Sequence, residues 1–171
     1  MMRDWIDGLL DCWMNGFVYQ YPPIDDFMEY TKRRNLNRGY MKLDVWQRGL
    51  DLFELAFRLA TPISDFKLKS QFTDAAQSVS ANVAEGYGRR SLPEYLQFLY
   101  IAKGSLAEAI TRACGLLRVK LIPAPAFEEF DTMHYEIENK LLALISSLEL
   151  KRENQTWRAT LPNPSTNPVI H

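Results

Sequence analysis

The sequence predicts an all-α protein: an up-down antiparallel bundle of four helices, with an N-terminal helical arm before it and a proline-rich tail after it. Three observations carry this. Four stretches repeat apolar residues at intervals of three and four, the signature of one helix face. Short connections containing Pro, Gly or a capping residue separate them. No run of β-branched residues alternates with polar ones, so no strand is expected. Amphipathic helices joined by short connections pack most simply as antiparallel neighbours.

Length and composition set the bounds. A chain of 171 residues fits one folded core. Its 47% hydrophobic and 24% charged content is that of an ordinary globular protein. The formal net charge of −1 gives no whole-chain signal for nucleic acid or a membrane surface. No apolar run reaches the roughly 18–20 residues of a spanning helix, and Met1-Met2-Arg3-Asp4-Trp5 opens no secretory signal. A cytoplasmic protein with no membrane contact is expected. Cys114 falls beside core positions of a predicted helix and is expected to be a buried free thiol. A disulfide between Cys12 and Cys114 has little behind it, and their spacing makes no zinc ribbon.

Three regions are expected: an arm over residues 1–42, the bundle over 43–150 and a polar tail over 151–171. In the arm, Trp5, Leu9, Cys12 and Trp13 share one face of a short helix, and Pro22-Pro23 breaks the chain. Asp25 caps a second short helix that runs into Lys32-Arg33-Arg34. So many aromatics suggest a docked segment rather than a solvated one.

The first long helix begins at Asp44-Val45-Trp46-Gln47, read as an N-cap with Gln at the third position. Its seam is Trp46, Leu50, Phe53, Phe57 and Ala60, and Thr61-Pro62 ends it. The second runs from Ser64 or Lys67 to Glu85, with Leu68, Phe72, Ala75, Ala76, Val79 and Val83 inward. The third spans Leu92 to about Arg118, roughly 40 Å at 1.5 Å per residue, with Leu92, Tyr95, Leu96, Leu99, Ala102, Leu106, Ala109, Ala113 and Leu116 inward. The fourth follows Pro123-Ala124-Pro125 and carries Phe127, Phe130, His134, Ile137, Leu141, Leu144 and Leu148. Pro162, Pro164 and Pro168 keep the tail extended.

The corner between the second and third helices, Ser78 to Ser91, organises the rest. Gly86 stands where a helix stop needs positive φ. Ser91 and Glu94 form a capping box in which the carboxylate returns a bond to the Ser91 backbone. Glu85, an acid at the negative end of a helix dipole, needs a partner, and Arg89 or Arg90 is within reach. Asn82 is placed to bond across to the third helix. Two roles suit these residues: a partner-binding site, or a polar clasp that fixes the turn. On the clasp reading, Glu85→Ala removes half of a buried pair and lowers the melting temperature.

Asp44-Val45-Trp46-Gln47, Ser78 to Gly86 with Gly88-Arg89, Glu94 to Leu99 and Ile101 to Glu108 fall in an order that resembles the four helix bundle protein family. That family includes proteins encoded in intervening sequences of bacterial 23S rRNA genes and the accessory variability determinant (Avd) proteins of diversity-generating retroelements. The resemblance covers about residues 43–150. It implies a four-helix protomer, a ring-like homopentamer and no enzymatic activity. In the Avd branch it also implies binding to nucleic acid and to the element's reverse transcriptase.

Charge and side-chain size add to this. Residues 43–120 carry ten Lys/Arg against eight Asp/Glu, whereas residues 121–171 carry four against seven. Lys67 and Lys69 open the second helix, while Arg118 and Lys120 end the third, so an up-down bundle puts all four at one end. Arg112 lies earlier in the third helix; Arg89 and Arg90 lie at the opposite end. These are the candidate nucleic-acid or partner contacts, the first cluster being the better phosphate-facing patch. The alternative is a solvated face whose bases favour the helix dipole. Ala75, Ala76, Ser78, Ser80, Ala81 and Ala84, with Gly104, Ser105 and Ala107 on the third helix, leave room for close neighbours on two sides, as in an oligomer.

An enzyme is not expected. A di-metal bundle needs repeated carboxylate and Glu-x-x-His ligands; here Asp131 and His134 stand alone, His171 being the only other histidine. No metal, cofactor or catalytic residue is expected. The function expected is a non-enzymatic oligomeric accessory protein that binds a reverse transcriptase, structured nucleic acid or both. The alternative is a pure assembly module.

Overall fold

The computed structural model describes residues 36–89 and 91–157, and every regular element among them is helical. A 3-10 segment, Leu36–Lys42, interrupted at Arg38, leads into α1 (Asp44–Ala60), α2 (Phe66–Tyr87), α3 (Leu92–Arg118) and α4 (Ala124–Glu153). The two short arm helices with Cys12, the second arginine of the corner, Arg90, and the proline-rich tail lie outside the described residues. The last residues of the expected arm form the 3-10 segment, which packs on α1 and α2.

Each helix packs on its neighbours in sequence, and α4 closes back on α1. Polar contacts across the helix pairs show the order. Asp44 meets Lys140 at 2.8 Å, Arg48 meets Glu136 at 3.2 Å and Arg58 meets Glu129 at 2.6 Å, so positions on α4 fall as those on α1 rise. Tyr100 donates to Glu149, while His134 Nε2 lies 3.1 Å from the Leu106 carbonyl oxygen. Between α2 and α3, Gln71 pairs with Arg112 near one end and Gly86 faces Tyr95 near the other.

The core is built from fully buried side chains: Leu52, Phe72, Val79, Leu99, Phe130, Ile137 and Leu141 are each 0% exposed. The Phe72 and Phe130 rings lie 5.1 Å apart. Burying each such side chain contributes about 1.5–3 kcal/mol. Every residue expected inward on α3 is buried, as are all those on α2 except Leu68. On α4 the buried face takes Ile145 in place of Leu144, and Phe127 is half-buried.

The first helix departs from its expected seam. Trp46 and Ala60 are buried, but Leu50 and Phe53 are half-buried and Phe57 is 48% exposed. The buried face runs instead through Val45, Gly49, Leu52, Ala56 and Leu59. Small residues on that line let α1 approach α2: a β-carbon at Gly49 would lie 3.1 Å from Ser80 Cβ. The bulkier aromatics of the second seam stay on the shoulder. Nor is Asp44 the N-cap. Leu43 holds that position without a side-chain cap bond, and Asp44 joins the first turn, where its carboxylate takes Lys140. Gln47 donates to the Met41 carbonyl.

The glycine stop is also relocated. α2 continues through Gly86 to Tyr87, and Gly88 caps it at φ −73°. No described glycine has positive φ. Left-handed residues occur at Lys120 (φ 60°) and Gln155 (φ 52°). At the end of α3, Leu121 N–H reaches Leu116 O at 2.9 Å and Lys120 N–H reaches Leu117 O at 3.0 Å; α4 ends the same way, through Thr156 and Gln155. Both are Schellman motifs, built with side chains at a position that glycine usually fills.

Candidate nucleic-acid interface

The corner joins α2 to α3. Ser91 caps α3: its Oγ accepts the Glu94 N–H at 3.4 Å and donates to Glu94 Oε2 at 2.6 Å. The carboxylate therefore takes the hydroxyl proton and not the backbone N–H that a full capping box would use. Asn82 donates to Ser78 O of its own helix at 2.7 Å and does not reach α3. Glu85 pairs with Arg89 one turn on, but the two side chains are 53% and 39% exposed, so the pair is not a buried one. Arg89 nonetheless reaches α3, its guanidinium carbon 4.4 Å from the Phe98 ring centroid.

Behind this surface lies a chain of aromatics. Tyr40 meets Trp46 at 5.3 Å and Tyr87 at 6.1 Å; Tyr87 meets Tyr95 at 6.1 Å, and Tyr95 meets Trp157 at 6.3 Å. The first three are edge contacts, which add about 0.5–1.5 kcal/mol each beyond burial, and the last is tilted at 50°. Burial pushes the Tyr95 phenol well above its ordinary pKa, so it stays neutral. Arg89 is engaged twice, by Glu85 and by the Phe98 ring, while the buried Trp157 Nε1 has no hydrogen-bond partner among the described residues.

The other end of α2 and α3 differs in kind. Asp65 caps α2 by accepting the Leu68 N–H at 2.9 Å. Phe66 follows and is 81% exposed, then Lys67. Lys69 Nζ lies 5.9 Å from the centroid of the Phe57 ring. Arg112 is committed: it donates to Gln71 Oε1 at 3.1 Å and to Glu108 at 2.9 Å, so it sets the register of α3 against α2. Carrying that register to the start of α2 brings Lys67 level with Leu116, and Arg118 and Lys120 lie just beyond. The expected cluster of Lys67, Lys69, Arg118 and Lys120 is thus gathered at one end. Arg89 sits at the far end of α2, about 30 Å away by helical rise.

Ion pairing separates these cations further. Arg48, Arg58, Arg89, Arg112 and Lys140 all have carboxylate partners. Among the described residues, Lys67, Lys69, Arg118 and Lys120 have none, and neither do Lys42, Lys103, Lys151 and Arg152 elsewhere. The residue that sequence reasoning missed is Phe66. The signal was available, because an aromatic directly after the Asp65 cap lies out of phase with the inward stripe of α2.

Other chemistry finds little footing. Cys114 is a free thiol and exposed, not buried as expected, because it faces away from the Ala113–Leu116 stripe. His134 is buried against the Leu106 carbonyl. Among the described residues no group of three or more His, Cys, Asp or Glu side chains is placed to hold a metal ion. One depression of about 400 Å³ lies between Pro93, Gln97, Tyr100, Ile101 and Arg152; another of about 470 Å³ is lined by Glu128, Glu129 and Glu136, the wrong sign for phosphate. No described helix is long and apolar enough to cross a membrane.

No curated protein matches the chain. The family model described as 23S rRNA-intervening sequence protein matches residues 41–143, which takes in α1, α2, α3 and the greater part of α4. That match spans more than half of the sequence, and the chain therefore belongs to the 23S rRNA-intervening sequence protein family.

Proposed function

We propose that the chain is a non-enzymatic accessory protein that binds structured nucleic acid through the end of its bundle formed by the start of α2 and the close of α3. The observation that carries this is the grouping of Lys67, Arg118 and Lys120, cations without a carboxylate partner among the described residues. Such cations are available to displace counterions from phosphate.

The order of contacts along the helix pairs supports an up-down antiparallel topology. Exposed apolar side chains support assembly into a homo-oligomer, a pentamer by family resemblance: Tyr100, Ile101, Tyr135 and Leu150 are 44–65% exposed. A cytoplasmic location and a reverse transcriptase partner, where one is encoded nearby, complete the reading. The second reading, a pure assembly module, draws on the same apolar surface and needs no nucleic acid.

Mass measurement and a binding titration separate the two. The proposal expects a mass of five chains and nucleic-acid binding that weakens with salt. A clean monomer at micromolar concentration contradicts the oligomer. No binding at about 50 mM salt to duplex, single-stranded or structured RNA leaves the assembly module.

A further inference from the structure

Phe66 is the most exposed large apolar side chain among the described residues, at 81%. It neither fills the core nor stacks on another ring among the described residues. Lys67 follows it directly, and the Gln71–Arg112 register brings the end of α3, with Arg118 and Lys120, to the same end of the bundle. An aromatic face beside unpartnered cations is the combination that holds single-stranded nucleic acid: the cations track the backbone and the ring takes an unpaired base, whatever its identity. A duplex offers phosphates to the cations but no free base face to the ring.

We infer that this end of the bundle takes an unpaired segment of nucleic acid, with one base stacked on Phe66 and the flanking phosphates on Lys67, Arg118 and Lys120. The inference rests on the proposed nucleic-acid reading and narrows it to unpaired strand. The acids nearby leave the face open. Asp65 is turned to the Leu68 N–H and Glu129 is held by Arg58, which leaves Glu128 and Asp131 as the carboxylates near the start of α4 without a cationic partner among the described residues. Val119 and Leu121, 61% and 40% exposed, extend the apolar edge beside Lys120.

The test measures fluorescence anisotropy of the full chain with labelled single strands of about 12 nucleotides, within the usual range of site sizes, and with duplexes of equal length. Phe66→Ala is expected to bind single strand about 5- to 100-fold more weakly, with little change on duplex and an unchanged salt slope. Phe66→Leu should behave like Phe66→Ala, and Phe66→Trp should retain binding. Lys67→Ala should lower the salt slope by about 0.7 on single strand. Equal binding of single strand by Phe66→Ala and the parent chain overturns the stacking role while leaving the phosphate contacts standing. Failure of the parent chain to bind either form overturns the nucleic-acid reading and this inference together. A lower assembled mass for Phe66→Ala assigns the ring to a subunit interface and also overturns the inference.

Discussion

Gly86 of α2 rests against Tyr95 of α3 with no room for a methyl group. A β-carbon at Gly86 would fall 2.9 Å from Tyr95 Cδ2, 3.2 Å from the Tyr95 carbonyl oxygen and 2.7 Å from Phe98 Cβ. Two of these atoms are fixed to the α3 backbone, so no rotamer change relieves the overlap. Gly86→Ala gains up to about 1 kcal/mol of helix propensity but forces the helices apart, and a net loss of about 1–3 kcal/mol is expected. Gly115, with nothing within 4 Å of its missing β-carbon, is the control. Gly115→Ala should gain about 0.5–1 kcal/mol. Urea unfolding followed by circular dichroism checks both.

Arg89 should matter more than its partner Glu85. The guanidinium serves both the Glu85 carboxylate and the Phe98 ring, while Glu85 serves only Arg89. An exposed pair contributes about 0–1 kcal/mol, and an exposed cation over a ring about 0.5–1 kcal/mol. Arg89→Ala is therefore expected to cost about 0.5–2 kcal/mol. Glu85→Ala is expected to cost less than about 0.5 kcal/mol, since it also removes an acid from the negative end of α2. Thermal unfolding of the two variants side by side gives the order.

Lys120→Gly should separate stability from binding. A left-handed side chain costs about 1–2 kcal/mol, part of which glycine returns through its freer unfolded chain. A gain of about 0.5–1 kcal/mol in unfolding free energy is expected, together with weaker nucleic-acid binding. Unfolding and anisotropy titrations on one preparation read out both.

The Asp44–Lys140 pair gives the fold a small acid dependence. The hydrogen bond and charge of the Lys140 ammonium hold the Asp44 carboxyl below its usual range. Its folded-state pKa is lowered, so the pair's contribution is present above the ordinary aspartate value of about 3.9 and is lost as pH falls through the folded value. The Asp44 side chain is 73% exposed, and screening keeps the effect small. Carboxyl NMR titration should show the Asp44 midpoint rising in Lys140→Ala.

How far the sequence could be read depended on whether one pattern was present or two. On α3 a single apolar stripe exists, and its nine expected residues are the nine buried ones. On α1 two stripes overlap. Periodicity favoured the bulky one through Phe53 and Phe57, while close packing against Ser80 selected the one through Gly49 and Ala56. Gly86 was rightly singled out for the wrong reason, because contact across two helices leaves no local mark that distinguishes it from a helix stop. That Lys67 and Lys69 open α2 while Arg118 and Lys120 stand at the close of α3 was readable from helix order alone. That Arg112 is tied to Gln71 depends on a side-chain contact between helices, whereas the exposure of Phe66 follows from its phase on α2.

The most direct test of the central claim is the salt dependence of single-strand binding by the parent chain and by a Lys67→Ala, Arg118→Ala, Lys120→Ala triple variant. Each phosphate contact on single strand contributes about 0.7 to the slope of log K against log salt. A slope shallower by about 2 in the triple variant, with unfolding free energy little changed, is the predicted result. An unchanged slope would contradict the placement of the phosphate contacts at this end of the bundle.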